Sequence, residues 1–307
     1  MQDIYYSITQ QIKAGSRVNL LKNSFSRHIR INRSFIETVQ KVTNSADSRE
    51  YQNMLDDIAG FSARTFIRQV YSSNQYIQIS DSAFTELKQI YRNTWQSMKQ
   101  AGDVRQVMLD SHYPALAAWT ADQYERDTGC DDQEDDAVTP VLCREYSADT
   151  QRSILHLEAL DLSQPVLDIG CGEKGHLVRR LADLGIQAAG FDRSVLNSDE
   201  TVQYGDWFAF DFREGVWGTV ISNAALSNHI IHAVRFNTPL KEEYIQLFYT
   251  VLRSLKPGGV FCYAPDMPFL EEGLEQRFYS VQKFSAAHGL YATHIIRHDP
   301  CAWIDEE

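Results

Sequence analysis

The chain has 307 residues, of which 41 are acidic and 29 are basic, and its formal net charge is −12. This length suffices for one large domain or for two smaller domains with separate cores. Because phosphate contacts require a basic surface, the acidic balance argues against a nucleic-acid partner.

The cysteines and the apolar runs narrow the class of protein further. None of the five cysteines is spaced as CxxC, which is typical of reduced thiols and not of a disulfide framework or a zinc site. No apolar run approaches the roughly 20 residues needed to cross a bilayer. The first residues are too polar for a signal peptide. We therefore expect a cytoplasmic protein that holds no metal and contacts no membrane.

The first 130 residues are predicted to be helical. In "AFTELKQIYRNTWQSMKQ" apolar residues recur at spacings of three and four, which is one face of a helix. Ser80 or Asp81 is placed to cap its start, and Gly102 lies just past its end. "REYQNMLDDIAGFSARTFIRQVY" repeats the pattern, with Gly60 as a candidate break. We expect residues 1–130 to form an all-helical cap that binds the substrate.

An acidic stretch separates this region from the rest of the chain. The segment "TGCDDQEDDAVTP" cannot contribute to a core, so we predict a solvated linker over residues 131–145. Its acids lack the spacing of the oxygen ligands in a calcium loop.

From residue 146 to 307, predicted strands alternate with predicted helices. The strands are "PVLDIG", "IQAAGFD", "TVQYGD", "GTVISNA", "VFCYAP" after a "KPGG" turn, and "YATHIIRHD". The helices are "REYSADTQRSILHLEAL", "HLVRRLADLG", "KEEYIQLFYTVLRSL" and "EQRFYSVQKFSAAHG". This alternation predicts an α/β domain with a parallel, doubly wound, Rossmann-like sheet that helices cover on both faces.

A glycine-rich loop follows the first of these strands. In "VLDIGCGEKGHLVRRL", Gly170 and Gly172 allow the backbone to approach a ligand closely, and Gly175 allows the next helix to pack against the strand. Asp192 ends the second strand about 20 residues later, where such acids accept hydrogen bonds from ribose hydroxyls. This pattern of strand, loop, helix, strand and acid predicts a nucleoside-containing ligand at the switch point of the sheet.

Two classes of ligand compete for this loop. Nicotinamide and flavin dinucleotides place a pyrophosphate at the helix N-terminus. Asp168, two residues before Gly170, would repel that dianion and would instead attract a cation. S-adenosyl-L-methionine carries a sulfonium and an ammonium and has no phosphate, so the charges favour it.

The segments "VLDIGCGEKGHL", "GFDRS", "QYGDWFAFDF", "VISNAALSNHI" and "LRSLKPGGVFCYAP" resemble the successive motifs of class I S-adenosylmethionine-dependent methyltransferases. The resemblance covers about residues 145–307, and the first motif and the "LKPGG" turn are its most specific parts. "SNAALSNHI" departs from the NPPY-type sequence of enzymes that methylate bases and glutamines. This departure argues against a nucleic-acid or glutamine acceptor. We expect the acceptor to be a small molecule of specialised metabolism.

The resemblance also implies roles for individual residues. Asp168, Gly170 and Gly172 would surround the methionine moiety, and Asp192 would bind the ribose. Asp206 would reach the adenine amino group, with Trp207 against the ring, and Asn223 would face the reactive methyl group. The full predicted cofactor set is Asp168, Gly170, Cys171, Gly172, Asp192, Arg193, Asp206, Trp207, Asn223 and Tyr146.

Three residues are candidates for the chemistry itself: Asn223, His229 and Tyr113. A histidine after the fourth strand is the obvious base near neutral pH, although methyl transfer requires a base only when the acceptor loses a proton. Tyr113, with Trp119 and Tyr124, belongs to an aromatic segment that either packs in a core or closes over the acceptor, where aromatic faces stabilise a sulfonium.

Four functions remain open from the sequence. The first is methylation of a small molecule. The second keeps the cofactor but cyclises it, with its own amine displacing methylthioadenosine. The third is a non-enzymatic scaffold that retains the cofactor site, and the fourth is a nicotinamide oxidoreductase, which the charge of Asp168 disfavours.

Overall fold

The computed structural model describes residues 2–15, 30–45, 48–128, 146–286 and 291–299. The chain divides into two compact units, Met1–Val141 and Leu142–Glu307. The acidic linker expected over residues 131–145 lies outside the described residues.

The described part of the first unit is helical, as the sequence predicts. Its elements are α1 (Gln2–Gly15), α2 (Arg33–Ser45), α3 (Ser48–Ser73), α4 (Asp81–Ala101), α5 (Val104–Val107), a π-helical turn (Met108–His112) and α6 (Tyr113–Thr128). They pack around one apolar core to which α3 contributes Tyr51, Leu55 and Ile58, all fully buried. The helical prediction is therefore confirmed for the described residues.

Local sequence signals set the ends of helix α4. The Ser80 hydroxyl accepts a hydrogen bond from the Ala83 amide at 3.2 Å, so Ser80 and not Asp81 is the cap. At the other end Gly102 has φ of +73° and donates its N–H to the Met98 carbonyl. Gly60 does not interrupt helix α3, so the expected break at that position is wrong.

The second unit alternates helices and strands. Its elements are α7 (Ala148–Ile154), a 3₁₀ turn (Leu157–Ala159), β1 (Val166–Ile169), α8 (His176–Asp183), β2 (Ala188–Asp192), β3 (Val202–Tyr204), β4 (Trp217–Asn223), α9 (Leu226–Phe236), α10 (Lys241–Ser254), β5 (Leu255–Ala264), α11 (Pro268–Glu271), β6 (Tyr279–Ser285) and β7 (Tyr291–Arg297). The helix α9 has no counterpart among the elements predicted from the sequence.

The seven strands form one sheet in the order β3-β2-β1-β4-β5-β7-β6. Strands β1 to β5 are parallel to one another, and β7 runs antiparallel to both β5 and β6. The strand order reverses between β1 and β4, which makes this the switch point of a doubly wound sheet. The predicted Rossmann-like fold is confirmed, but β7, which the sequence predicts as a further parallel strand, is antiparallel.

Helices cover both faces of this sheet, because alternate residues of each strand point in opposite directions. Leu167 and Ile169 of β1 pack in a cluster with residues of α9 and α10. Val166 of the same strand packs with Leu177 and Leu181 of α8 on the opposite face. A core on each face therefore holds β1 in place and with it the loop that follows it.

The helix predicted over "EQRFYSVQKFSAAHG" is wrong. Its middle forms the edge strand β6, which pairs with β7 from Tyr279↔Arg297 to Ser285↔Tyr291. Tyr279, Val281 and Phe284 are β-forming residues, and tertiary pairing with β7 outweighs the helical spacing of the segment. The last residues of the predicted helix, 287–289, lie outside the described residues.

A buried carboxylate ties helix α11 to the sheet. Oε1 of Glu271 accepts hydrogen bonds from the Tyr263 hydroxyl at 2.6 Å, the Met267 amide at 2.7 Å and the Thr293 hydroxyl at 3.0 Å. Its Oε2 lies 2.7 Å from the Lys283 ammonium, as an ion pair rather than a directed hydrogen bond. Although burial opposes it, these partners lower the pKa of Glu271.

Candidate functional site

The carboxyl ends of β1, β2 and β4 meet at the switch point of the sheet. Parallel pairing sets Asp168 of β1 opposite Gly190 of β2 and Ile221 of β4. In this fold class, ligands bind in the crevice beyond these strand ends. The residues that follow β1, β2 and β4 are therefore the candidates for ligand contact.

Hydrogen bonds to the end of β2 fix the glycine-rich loop after β1. The amides of Gly170 and Cys171 both donate to the Phe191 carbonyl, at 3.0 and 3.3 Å. The Gly172 amide donates to Oδ2 of Asp192 at 3.0 Å. Three successive amides of the loop are therefore bonded to the end of β2.

Gly170 is the point where the loop comes closest to its neighbours. It has φ of +77°, and a Cβ at this position would lie 2.6 Å from Cβ of Ala225 and 3.3 Å from the Trp207 ring. Both the backbone conformation and the space strongly favour glycine at this position. Gly170 thus brings the end of β1 against the segment after β4 and the indole of Trp207.

Asp168 is a buried acid without a full set of partners. Its side chain is 2% exposed, and its Oδ2 has no hydrogen-bond partner among the described residues. Burial, and after it the charge of Asp192, raises the pKa of Asp168 to about 7. Burying an unpaired carboxylate is costly, so this position favours a cationic ligand that restores its charge.

Asp192 ends β2 and organises the next turn. Its Oδ1 accepts from the amide and the hydroxyl of Ser194, at 2.7 and 2.5 Å, while Oδ2 accepts from Gly172. A carboxylate offers about four acceptor sites, so one remains for a ligand hydroxyl. Arg193 follows it and is half-buried.

Trp207 lies at the centre of an aromatic group behind Gly170. Its ring meets the His229 ring edge-on, with centroids 4.6 Å apart, and lies 6.4 Å from the Tyr244 ring. Asp206, the preceding residue, accepts from the Phe208 amide through Oδ1 at 2.8 Å. The indole is half-buried, so these contacts fix it while part of its surface stays accessible.

His229 is 5% exposed and lies on helix α9. Its Nδ1 is 2.9 Å from the Ala225 carbonyl, so Nδ1 carries the proton and a neutral ring is an acceptor at Nε2. Together with its contact to Trp207, this makes His229 a support for the indole. The expectation that it acts as a base stays a prediction.

Asn223 is the last residue of β4 and is half-buried. Its neighbour Ser222 donates to the Ile169 carbonyl at 3.1 Å and accepts from the Leu226 amide at 3.0 Å. Ser222 therefore ties the ends of β1 and β4 to the start of α9. This arrangement holds Asn223 at the same edge of the sheet as Gly170.

The Cys171 side chain points into a small apolar cluster. It packs with Val178, Val195 and Val202, and a Cβ on Gly190 would lie 2.9 Å from its Cβ. Burial, followed by the charges of Asp168 and Asp192, raises the pKa of the Cys171 thiol. Any contact of Cys171 with a cofactor would therefore come from its main chain.

Tyr113 and Tyr146 are the remaining predicted site residues. Tyr113 is buried in the first unit, where its hydroxyl accepts from the Gln11 amide group at 2.9 Å. Trp119 is also buried there and donates to the Ala83 carbonyl at 3.1 Å. Tyr146 is exposed just before α7, where its carbonyl accepts from the Gln151 side-chain amide at 3.1 Å. The side chain of Tyr124 lies outside those described.

The sequence did not point to Ala225, Tyr244 or Ser222. Ala225 forms a wall against Gly170, Tyr244 packs against Trp207 and His229, and Ser222 ties two strands to α9. Each depends on contacts between distant parts of the chain, so no local pattern marks them. Ser222 and Ala225 both lie within "VISNAALSNHI", a segment that we had already placed at the site, whereas Tyr244 lies outside it.

The described residues contain no group of three or more His, Cys, Asp or Glu side chains that could hold a metal ion. In the same part of the chain, no helix is long and apolar enough to span a bilayer.

No protein-family model matches the chain, and no curated protein matches it either. Among solved structures, the S-adenosylmethionine-dependent methyltransferase of Mesorhizobium loti is similar at 19% identity and a TM-score of 0.30, over 47% of this chain and 64% of its own. The CcbJ methyltransferase of Streptomyces caelestis is similar at 20% identity and a TM-score of 0.29, over 50% and 67%.

The glycopeptide N-methyltransferase MtfA complexed with S-adenosylmethionine is similar at 20% identity and a TM-score of 0.29, over 52% of this chain and 71% of its own. All three are methyltransferases by name, and each likeness concerns about half of this chain.

Proposed function

We propose that this protein is an S-adenosylmethionine-dependent methyltransferase that acts on a small molecule. One observation carries the proposal: the buried Asp168 carboxylate, with an oxygen that lacks a partner among the described residues, lies at the entrance of a loop without side chains at Gly170 and Gly172. A cationic ligand relieves the cost of this buried acid, and the bare loop admits it.

The residues present fit S-adenosylmethionine, which supplies a methyl group already activated for displacement by its sulfonium. Asp168 would attract the cationic methionine end, and the positive φ of Gly170 and Gly172 leaves the backbone open beside it. A dinucleotide fits less well, because its pyrophosphate would face both Asp168 and Asp192.

The nucleoside end would lie along β2 and the segment after β3. Asp192 retains acceptor capacity for one ribose hydroxyl after its bonds to Gly172 and Ser194. Asp206 would accept from the adenine amino group, and Trp207 would lie against the ring. His229 and Tyr244 hold that indole in place.

The chain then has to position the acceptor and exclude water. We assign Asn223, at the end of β4, to the methyl side of the site. Positioning two reactants supplies up to roughly 7–11 kcal/mol of a barrier, which is sufficient for an activated cofactor. We assign acceptor recognition to the N-terminal helical region, because the motifs of the sheet provide a cofactor site only.

Product analysis tests this proposal. The full chain is incubated with S-adenosylmethionine, alone and with pools of small-molecule acceptors, and the nucleoside product is identified by mass spectrometry. We expect S-adenosylhomocysteine, formed only with an acceptor. Methylthioadenosine formed without any acceptor would instead show the cyclisation, and no nucleoside product under any condition would contradict a transferase.

The matched control is Asp211→Asn, at an exposed acid five residues after Asp206. Asp211→Asn should form product at the rate of the unmodified chain, whereas Asp168→Asn should form it at least ten-fold more slowly. Equal loss in both variants would contradict the assignment of Asp168.

A further inference from the structure

The helical unit contains a cavity of about 40 Å³, which is several times the roughly 10–15 Å³ that one water molecule requires. Helices α1, α2, α3, α4 and α6 and the π-helical turn all contribute to its wall. The wall is mostly apolar, with Ile8, Phe35, Phe66, Trp95, Met98 and Leu116 among its residues. Apolar walls with few polar groups are typical of small-molecule sites.

Tyr91 supplies the first polar group of this cavity. Its side chain is 5% exposed, and its hydroxyl has no hydrogen-bond partner among the described residues. Burial raises the pKa of Tyr91 well above its usual value, so the hydroxyl keeps its proton. A buried hydroxyl without a partner costs free energy, which a ligand that bonds to it would recover.

His112 supplies the second polar group, and its neighbours fix its tautomer. The Thr94 hydroxyl donates its one proton to the Ile90 carbonyl at 2.8 Å, so at its 2.9 Å contact with Nδ1 of His112 it must accept. Burial lowers the pKa of His112 to about 3, so the ring is neutral. A neutral ring protonated at Nδ1 is a hydrogen-bond acceptor at Nε2.

The two polar groups lie close together. The ring centroids of Tyr91 and His112 are 5.0 Å apart, and both residues line the cavity. The pair therefore brings one donor, the Tyr91 hydroxyl, and one acceptor, Nε2 of His112, to a cavity whose wall is mostly apolar. A hydroxyl group matches this pair, because it donates one hydrogen bond and accepts another.

The backbone that carries His112 has an unusual conformation. Met108–His112 form a π-helical turn between α5 and α6, and such turns are common at functional sites in helices. The turn places Met108 and His112 on the cavity wall, while Tyr113 directly after it is held by Gln11.

We propose that this cavity binds the hydroxyl-bearing end of a small apolar molecule, for which phenol is the probe. The ligand hydroxyl donates to Nε2 of His112 and accepts from the hydroxyl of Tyr91. The apolar body packs against Phe66, Trp95 and Leu116. The site lies within the helical unit, and its occupancy does not depend on the cofactor proposed above.

Calorimetry with phenol and benzene on the full chain, without any cofactor, tests this site. We expect phenol to bind at least five-fold more tightly than benzene, because only phenol satisfies both polar groups. Phenol that does not bind, or that binds no better than benzene, would overturn the proposal and leave the cavity to ordered water.

Two variants locate the binding. Tyr91→Phe removes only the hydroxyl that lacks a partner, so it should leave the melting temperature unchanged or raised while weakening phenol at least five-fold. Tyr51→Phe is the matched control, since its hydroxyl donates to the Trp95 carbonyl at 2.6 Å and does not line the cavity. It should lower the melting temperature and leave phenol affinity unchanged, and the reverse pattern would contradict the site.

Discussion

The carboxyl group of Asp168 interacts with the charge of Asp192. Asp192 lies two residues beyond Gly190, the residue that pairs with Asp168 on the neighbouring strand. Burial is the larger cause, and together they raise the pKa of Asp168 to about 7. Asp192 holds the glycine-rich loop through Gly172, whereas Oδ2 of Asp168 has no hydrogen-bond partner among the described residues, so this buried charge has no evident structural role. We interpret it as stability given up for the binding of a cation.

Asp168→Asn should therefore stabilise the protein without ligand at high pH. The native state keeps this proton up to pH of about 7, whereas the unfolded chain loses it near 4, so stability falls as the pH rises between these values. The stability of the asparagine variant does not fall for this reason, because its amide does not ionise. At pH 8 we expect a gain on the order of 2–4 kcal/mol by denaturant unfolding, and little gain at pH 4. A variant less stable than the unmodified chain at pH 8 would contradict this account.

Gly170→Ala should cost both stability and cofactor affinity. It introduces a strained φ and a Cβ 2.6 Å from Ala225, so we expect a loss of about 2–4 kcal/mol. Gly185→Ala is the matched control, with φ of +80° and nothing within 4 Å of its Cβ. It should cost only about 1 kcal/mol. Equal losses in chemical unfolding would show that the contact with Ala225 is unimportant.

Lys283→Met should destabilise the second unit through Glu271. It leaves the buried Glu271 carboxylate without its counter-ion and also removes the 3.0 Å pair of Lys283 with Asp266. We expect a cost of about 1–3 kcal/mol, moderated because Lys283 is 37% exposed. The low pKa of Glu271 contributes stability above the pKa of the unfolded chain, and this is lost as the pH falls through the folded value. The difference between variant and parent should therefore shrink on acidification.

The control for this pair is Arg277→Met, which removes an exposed ion pair with Glu275 of the same 2.7 Å length. We expect a change below about 0.5 kcal/mol at any pH. A loss as large as that of Lys283→Met would mean that burial of Glu271 is not the cause.

Trp207→Leu should weaken S-adenosylmethionine binding by about ten-fold, because a flat surface for the adenine ring is lost. Phe208→Leu changes the adjacent exposed aromatic residue and should leave the affinity within two-fold. Fluorescence titration measures both, and unchanged affinity in the first variant would remove Trp207 from the site.

Local patterns predicted much of the fold. The 3.6-residue period and the caps at Ser80 and Gly102 gave helix α4, and the apolar run before Gly170 gave β1. Strand β6 was mistaken for a helix, because its identity depends on pairing with β7. The antiparallel direction of β7 follows from the same long-range pairing, which no window of the sequence contains.

The candidate site was predictable where a single residue type is required. A positive φ selects glycine at positions 170 and 172. The ends of the predicted strands β1 and β2 mark Asp168 and Asp192. The pocket wall at Ala225 and the cavity between Tyr91 and His112 were not predictable. They arise from close contacts between helices or loops whose relative placement only the folded chain defines.

The most direct test of the account is calorimetric titration of the full chain with S-adenosylmethionine at pH 8, with NAD as the competing ligand and Asp168→Asn as the variant. We predict binding of S-adenosylmethionine to the unmodified chain, at least ten-fold weaker binding to the variant, and no binding of NAD. Equal affinity of both chains for S-adenosylmethionine, or a preference for NAD, would contradict the claim that Asp168 selects a cationic ligand.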